Sequence, residues 1–245
     1  MSIKKIRIAY VDEPPFYWTE KDKSLKGADI ELIETVLREI GISSIEYHHT
    51  TFEELLQGVK GGRWDINVPI FVTDERAKEV AFSIPVWALG DGFVVHQGNP
   101  KELTSYETVA MRSDTRLGLI PGQVQVNKAR SAGVNDSQIV LLKNQDALIA
   151  ALQSGKIDAF AATAVGNNAI VKANPELQSV PLKNNIADKI PVGAFSFNKD
   201  NHELLQAVNQ QLNKYLGSAD HRNKMAKYGI TSSEIDAIVS KKNEK

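Results

Sequence analysis

The chain carries one stretch of itself twice. TFEELLQGVKGGRWDIN, Thr51 to Asn67, lies without a gap on NQDALIAALQSGKIDAF, Asn144 to Phe160. Each copy opens on a polar capping residue, Thr51 or Asn144. An apolar face follows, Leu55, Leu56 and Val59 in one and Leu148, Ile149 and Leu152 in the other, then glycine and a basic residue. Apolar residues at that spacing share one side of an α-helix, and glycine past the last turn ends it. Thr51 with Glu54 has the spacing of a capping box. Asp65 and Asp158 then each lead an apolar run that reads as buried strand. Two helix-to-strand units so far apart are not solenoid repeats, whose period is shorter, and they predict two similar α/β lobes.

The rest of the chain fits that division. Its 245 residues suffice for two small lobes. Lys5 to Tyr10 reads as a first strand, and Ile30, Ile33, Val36, Leu37 and Ile40 line a helix that stops at Gly41. Gly90-Asp91-Gly92 before Phe93, and Pro191-Val192-Gly193 before Ala194, are glycine-bearing extended stretches suited to carry the chain between lobes. The expected division is therefore 1–91 with 193–245 as lobe 1 and 92–192 as lobe 2. Leu204, Leu205, Val208, Leu212, Tyr215 and Leu216 mark a helix ended by Gly217 and expected to pack back on lobe 1. The polar tail SKKNEK is expected to fray.

Several function classes lack support. The 29 basic and 30 acidic residues leave a formal charge of -1, without the basic stripe that a nucleic-acid partner requires. No apolar run reaches the roughly 18 residues that cross a bilayer, and Met1 to Lys5 passes straight into the first strand rather than into a signal-peptide core. Zero cysteines exclude disulfides, thiolate metal sites and cysteine nucleophiles. GxSxG, GxGxxG, GxxxxGK and HExxH are all absent, so acyl transfer, dinucleotide, P-loop and zincin chemistry have no sequence basis. His48 and His49 are adjacent on a strand and point to opposite faces, which prevents them from sharing a metal. No metal and no cofactor are expected.

Arg76 is the residue that points to a ligand. In TDERAKEVAFS, Thr73 caps a helix whose first turn holds Asp74 and Glu75, as the helix dipole favours. A guanidinium there opposes the dipole and is better explained by a partner outside the helix, either a nearby surface acid or a ligand carboxylate that its planar fork grips through two parallel bonds. Phe16, Tyr17 and Trp18 follow Pro14-Pro15 in the loop after the first strand, and Phe52 opens the first repeat helix. Phe71 stands in what reads as a loop, Asn67-Val68-Pro69-Ile70-Phe71, ahead of Arg76. In open α/β sheets such strand exits are where ligands bind. Trp64 and Trp87 stay outside the expected site.

Taken in order, EPPF at Glu13 to Phe16, KGADIEL at Lys26 to Leu32, GGRWDI, TDERAKEVAFS, LGLIPGQ at Leu117 to Gln123 and SGKIDAFAAT at Ser154 to Thr163 resemble the family 3 extracellular solute-binding proteins. These are the amino-acid-type receptors of bacterial ABC importers. The resemblance implies the type II periplasmic binding protein fold, two α/β lobes joined by two hinge strands, with a ligand clamped by hinge closure. It implies that Arg76 holds a ligand carboxylate, with Gly122 and Gln123 forming a helix-start anion site. Thr163 stands where the family usually has an aspartate for an α-ammonium, and Glu13 where it usually has an aromatic. Glu13, Phe16, Phe52, Phe71 and Arg76 instead resemble the set in ectoine-binding members, where a glutamate and rings hold a delocalised cation. Asn67 and Pro69 complete the expected ligand-binding residues.

The expected function is a non-enzymatic, monomeric periplasmic receptor that delivers a small carboxylate-bearing amine to ABC permease subunits, its leader absent from this chain. The alternatives are a cyclohexadienyl dehydratase-like enzyme, which resembles the same fold but needs an acid or base near Thr163, and a ligand-sensing module.

Overall fold

The computed structural model describes residues 5–182 and 190–239; the polar tail 240–245 lies outside them. They divide into two compact units, one within Met1–Leu89 and Ile190–Lys245, the other within Gly90–Lys189. The first unit begins β1 (Ile6–Tyr10), a short hairpin of β2 (Trp18–Thr19) and β3 (Leu25–Lys26), α1 (Ala28–Glu39), β4 (Ile45–His49), α2 (Phe52–Lys60), β5 (Ile66–Phe71), α3 (Asp74–Glu79), β6 (Ala81–Phe82) and β7 (Trp87–Ala88). The second runs β8 (Asp91–His96), α4 (Tyr106–Ala110), β9 (Leu117–Leu119), α5 (Val124–Ser131), β10 (Ile139–Leu141), α6 (Gln145–Gln153), β11 (Ala159–Thr163), α7 (Ala164–Ala173) and β12 (Leu177–Pro181). The chain returns to the first unit with β13 (Val192–Phe197), α8 (His202–Tyr215), α9 (Ala219–Ala226) and α10 (Ser232–Val239). Helix α8 buries Leu204, Val208 and Leu212 and packs on α1, in the unit where the sequence places it.

The sheets share one plan. The first runs β4-β1-β5-β13-β6, with β7 also on β13; the second runs β10-β9-β11-β8-β12. In each, three neighbouring strands are parallel and the next is antiparallel. Parallel strands need helical crossovers, which α1 and α2 supply in one unit and α5 and α6 in the other. The repeated segment is thus the helix and inner strand of a unit-sized repeat. Its glycine stops also coincide, Gly62 and Gly155 having φ of 72° and 71°.

The repeated aspartate ties each inner strand to its neighbour. Asp65 Oδ2 accepts from the Arg7 backbone N–H at 2.8 Å, and both its oxygens bind the Arg7 guanidinium. Asp158 Oδ2 accepts from the Arg116 backbone N–H at 2.7 Å. Each clamp sits one residue before the first parallel pair, Ile8 with Ile66 or Leu117 with Ala159. Asp65→Ala removes the acceptor for a backbone donor and is expected to cost about 1–3 kcal/mol in urea unfolding, with Asp158→Ala acting in the same direction. A loss below about 0.5 kcal/mol for both is the ordinary surface value and excludes the clamp.

Two local expectations are corrected. Thr51 has the extended backbone of an N-cap, but its hydroxyl makes no cap bond, and Glu54 turns away to pair with Arg63. The capping box does not form. Residues Asn67 to Phe71 are not loop but the wholly buried strand β5. Pro69 is tolerated because the register with β13 shifts there: Asn67 pairs with Ser196 and Ile70 with Ala194, so Val68 and Pro69 together face Phe195. A bulge needs no donor from the extra residue.

Candidate functional site

In the first unit, α3 begins where β5 ends. Thr73 is extended and its hydroxyl accepts from the Arg76 backbone N–H at 3.2 Å, forming the cap read from the sequence. The Arg76 side chain is only 8 % exposed. Its Nη1 donates to the Phe71 carbonyl at 2.7 Å, and its guanidinium carbon stands 5.6 Å from the centre of the half-buried Phe52 ring. Burial pulls its pKa down to about 10, with Tyr17 and Glu75 opposing the fall. It stays cationic at neutral pH. A fork laid over a ring and pinned by a carbonyl has a fixed orientation, which bidentate carboxylate recognition needs.

The loop after β1 folds back on itself. The Glu13 N–H donates to the Tyr17 carbonyl at 2.7 Å, and the Phe16 N–H to the Glu13 carbonyl at 3.0 Å. The Tyr17 hydroxyl lies 3.2 Å from Glu13 Oε2 and 3.4 Å from the Pro69 carbonyl, either of which accepts its proton. Burial, then the charges of Glu13 and Asp29, push the Tyr17 phenol well above its ordinary range, while Arg76 pulls the other way. Tyr17 is therefore a neutral donor lying among both acids and the arginine. The N-terminus of α1 secures this loop, the Ala28 and Asp29 N–H groups each donating at 3.0 Å, to the carbonyls of Pro15 and Phe16.

Of the sequence-predicted residues here, the fold brings together Glu13, Phe16, Phe52, Phe71 and Arg76. Phe16 and Phe71 are both buried and both pack on Trp87, with ring centres 6.0 and 5.3 Å away. Pro69 offers its carbonyl to Tyr17. Asn67 is fully buried, and its side chain is used inside the unit: Trp64 Nε1 donates to Oδ1 at 2.6 Å, and Nδ2 donates to Leu55 O at 2.9 Å and Ser196 Oγ at 3.0 Å. It is a tie between α2, β5 and β13, not an open contact. Sequence reasoning left out Tyr17 and Trp87; the adjacency of Tyr17 to Phe16 was the signal for the first.

In the second unit, Gly122 (φ 81°) turns the chain from β9 into Gln123, the extended N-cap of α5. Gln123 is buried and makes no side-chain cap bond. Thr163 ends β11 and caps α7, its Oγ1 accepting from Gly166 N at 3.1 Å. Beside it in the sheet lies Asp91, which accepts from Gln125 Nε2 at 3.0 Å and pairs with Lys128 Nζ at 2.6 Å. The buried Tyr106 phenol also reaches Asp91, at 3.4 Å. Both Gln125 and Lys128 belong to α5, so Asp91 fixes that helix against β8. No group of His, Asp and Glu side chains among the described residues has the arrangement of a metal site.

Two units of one sheet plan, parallel strands completed by an antiparallel strand, define the α/β class of type II periplasmic binding proteins. A model of the bacterial extracellular solute-binding proteins, family 3, matches residues 6–230, and the chain belongs to that family. A probable amino-acid ABC transporter periplasmic-binding protein of Sinorhizobium fredii is 30% identical over 96% of this chain and 80% of its own length. Among solved structures, EhuB in complex with hydroxyectoine superposes with a TM-score of 0.85 at 23% identity, covering 96% of this chain and 94% of that one. AbpA, an amino acid ABC transporter substrate-binding protein from Streptococcus pneumoniae bound to L-arginine, superposes with a TM-score of 0.80 at 25% identity and 97% coverage of both chains.

Proposed function

We propose that this protein is the periplasmic substrate-binding component of an ABC importer, taking a small amine that bears a carboxylate and presenting it to the permease. The observation that carries the reading is Arg76, a buried guanidinium laid over Phe52 and bonded to the Phe71 carbonyl. It takes the carboxylate. Glu13, held by Tyr17, with Phe16 and Phe71 takes the cationic end, and a flat delocalised cation suits rings and glutamate together. L-Arginine, in the AbpA structure, is a ligand of that kind. Hydroxyectoine, in the EhuB structure, is another. Gln123 and Thr163 remain the second unit's share of the proposal on the family resemblance, and Thr163 supplies a hydroxyl where a carboxylate would serve an α-ammonium. The reading is one of binding without conversion, by a monomer.

A thermal-shift panel of amino acids, ectoines, betaines, small dicarboxylates and prephenate tests it. A ligand at about 100 times its Kd adds about 2.7 kcal/mol to stability, a readily measured rise in Tm. The expected result is a rise with ectoine-like or arginine-like zwitterions. A rise with dicarboxylates alone removes Glu13 from the cationic end, and turnover of prephenate or arogenate in a coupled assay replaces the receptor by a dehydratase.

A further inference from the structure

Strand β13 runs between β5 and β7, and its Gly193 is paired with Phe71 on one side and Trp87 on the other. The Trp87 indole lies across that glycine so closely that a Cβ at position 193 would stand 2.0 Å from the ring. With no side chain between them, the indole reaches Phe71 and meets it edge to face, centres 5.3 Å apart at 85°. Phe16, on the loop after β1, packs on the same indole at 6.0 Å. The two phenylalanines therefore share one support although they come from different elements.

That support is itself anchored. Trp87 Nε1 lies 3.2 and 3.4 Å from the two oxygens of Asp29, a fully buried residue in the first turn of α1. Among the described residues, no other side chain donates to Asp29. Burial holds the Asp29 carboxyl well above the usual carboxylate range, the Trp87 bond opposing the rise and Glu13 adding to it. Trp87 touches both phenylalanine rings, which gives it a route to a ligand through the rings it props.

We propose that Trp87, anchored by Asp29, is a positioning residue that sets the angles of Phe16 and Phe71 and so sets affinity for a delocalised cation. This rests on the reading of those rings as the cationic end of the site. Cation-to-ring attraction depends on the cation lying over a face, and two faces keep a fixed relation only if their common support is fixed.

The test uses the full chain labelled with fluorophenylalanine, as wild type, W87F, D29A and D29N, with the Phe16 and Phe71 fluorine resonances assigned by F16L and F71L. W87F keeps a ring but lacks the indole N–H, and D29N keeps an acceptor for it. W87F and D29A are expected to shift both resonances and D29N to leave them near wild type, all with wild-type far-UV circular dichroism. Calorimetry with hydroxyectoine and with L-arginine is expected to show about tenfold weaker binding for W87F and D29A, and D29N within about threefold of wild type. Unmoved resonances overturn the positioning role. Moved resonances with unchanged affinity overturn its effect on the ligand. Failure of the wild type to bind either compound sinks the cationic-end reading and the affinity part with it, while the resonances still decide whether Trp87 positions the rings.

Discussion

Alanine in place of Arg76 is expected to weaken ligand binding by about 2–5 kcal/mol, a loss of roughly 30-fold to several thousand-fold. The magnitude follows from burial. A ligand carboxylate held by a guanidinium that is 8 % exposed has given up water, and without the fork it has nothing to replace those bonds. Lysine at the same position keeps a charge but not two parallel donors, and it cannot lie flat over Phe52, so Arg76→Lys should fall between wild type and alanine. Helix α3 is expected to survive both changes, because Thr73 caps it through the backbone N–H of residue 76. Calorimetry with the panel compound that gives the largest thermal shift is the measurement. Affinity for that compound within about threefold of wild type in Arg76→Ala takes Arg76 out of the site, because a lost buried ion-pair partner costs far more than that.

What the sequence makes legible here is what neighbouring residues decide. The repeat betrays both inner strands because a helical apolar face, a glycine stop and a leading aspartate all lie within one short window. The Thr73 cap is local in the same way. Reading fails where a remote strand intervenes. Pro69 argues for loop when only its neighbours are considered, yet β5 bulges there against β13 and makes strand permissible. Asn67 looks like a polar strand-exit residue until Leu55 and Ser196 take its amide. Trp87 gains its place only because Gly193, far away in the chain, leaves room for the indole to reach Phe71. No periodicity in the sequence encodes that juxtaposition, so the candidate residues can be found from sequence while their supports cannot.

Gly27 shows the same limit with the largest expected effect on stability. It is the N-cap of α1, with φ 135° and ψ 160°, a conformation reserved almost wholly for glycine. A Cβ there would stand 2.0 Å from the Phe16 carbonyl oxygen and 2.6 Å from the Tyr17 Cα, and both neighbours are backbone, which cannot rotate aside. That close approach lets the Ala28 and Asp29 N–H groups reach the carbonyls of Pro15 and Phe16, so two otherwise open donors of the helix start hold the loop that carries Glu13. Gly27→Ala must therefore move either the start of α1 or the loop. Its expected cost is about 3 kcal/mol or more in urea unfolding, strain and lost bonds together. Binding should weaken as well under conditions where the variant is still folded, because Glu13 and Phe16 travel with the loop, whereas an effect confined to the helix would leave affinity unchanged. Wild-type stability, within about 0.5 kcal/mol, is what a tolerant surface position shows, and finding it would mean that the α1 start does not hold the loop in place.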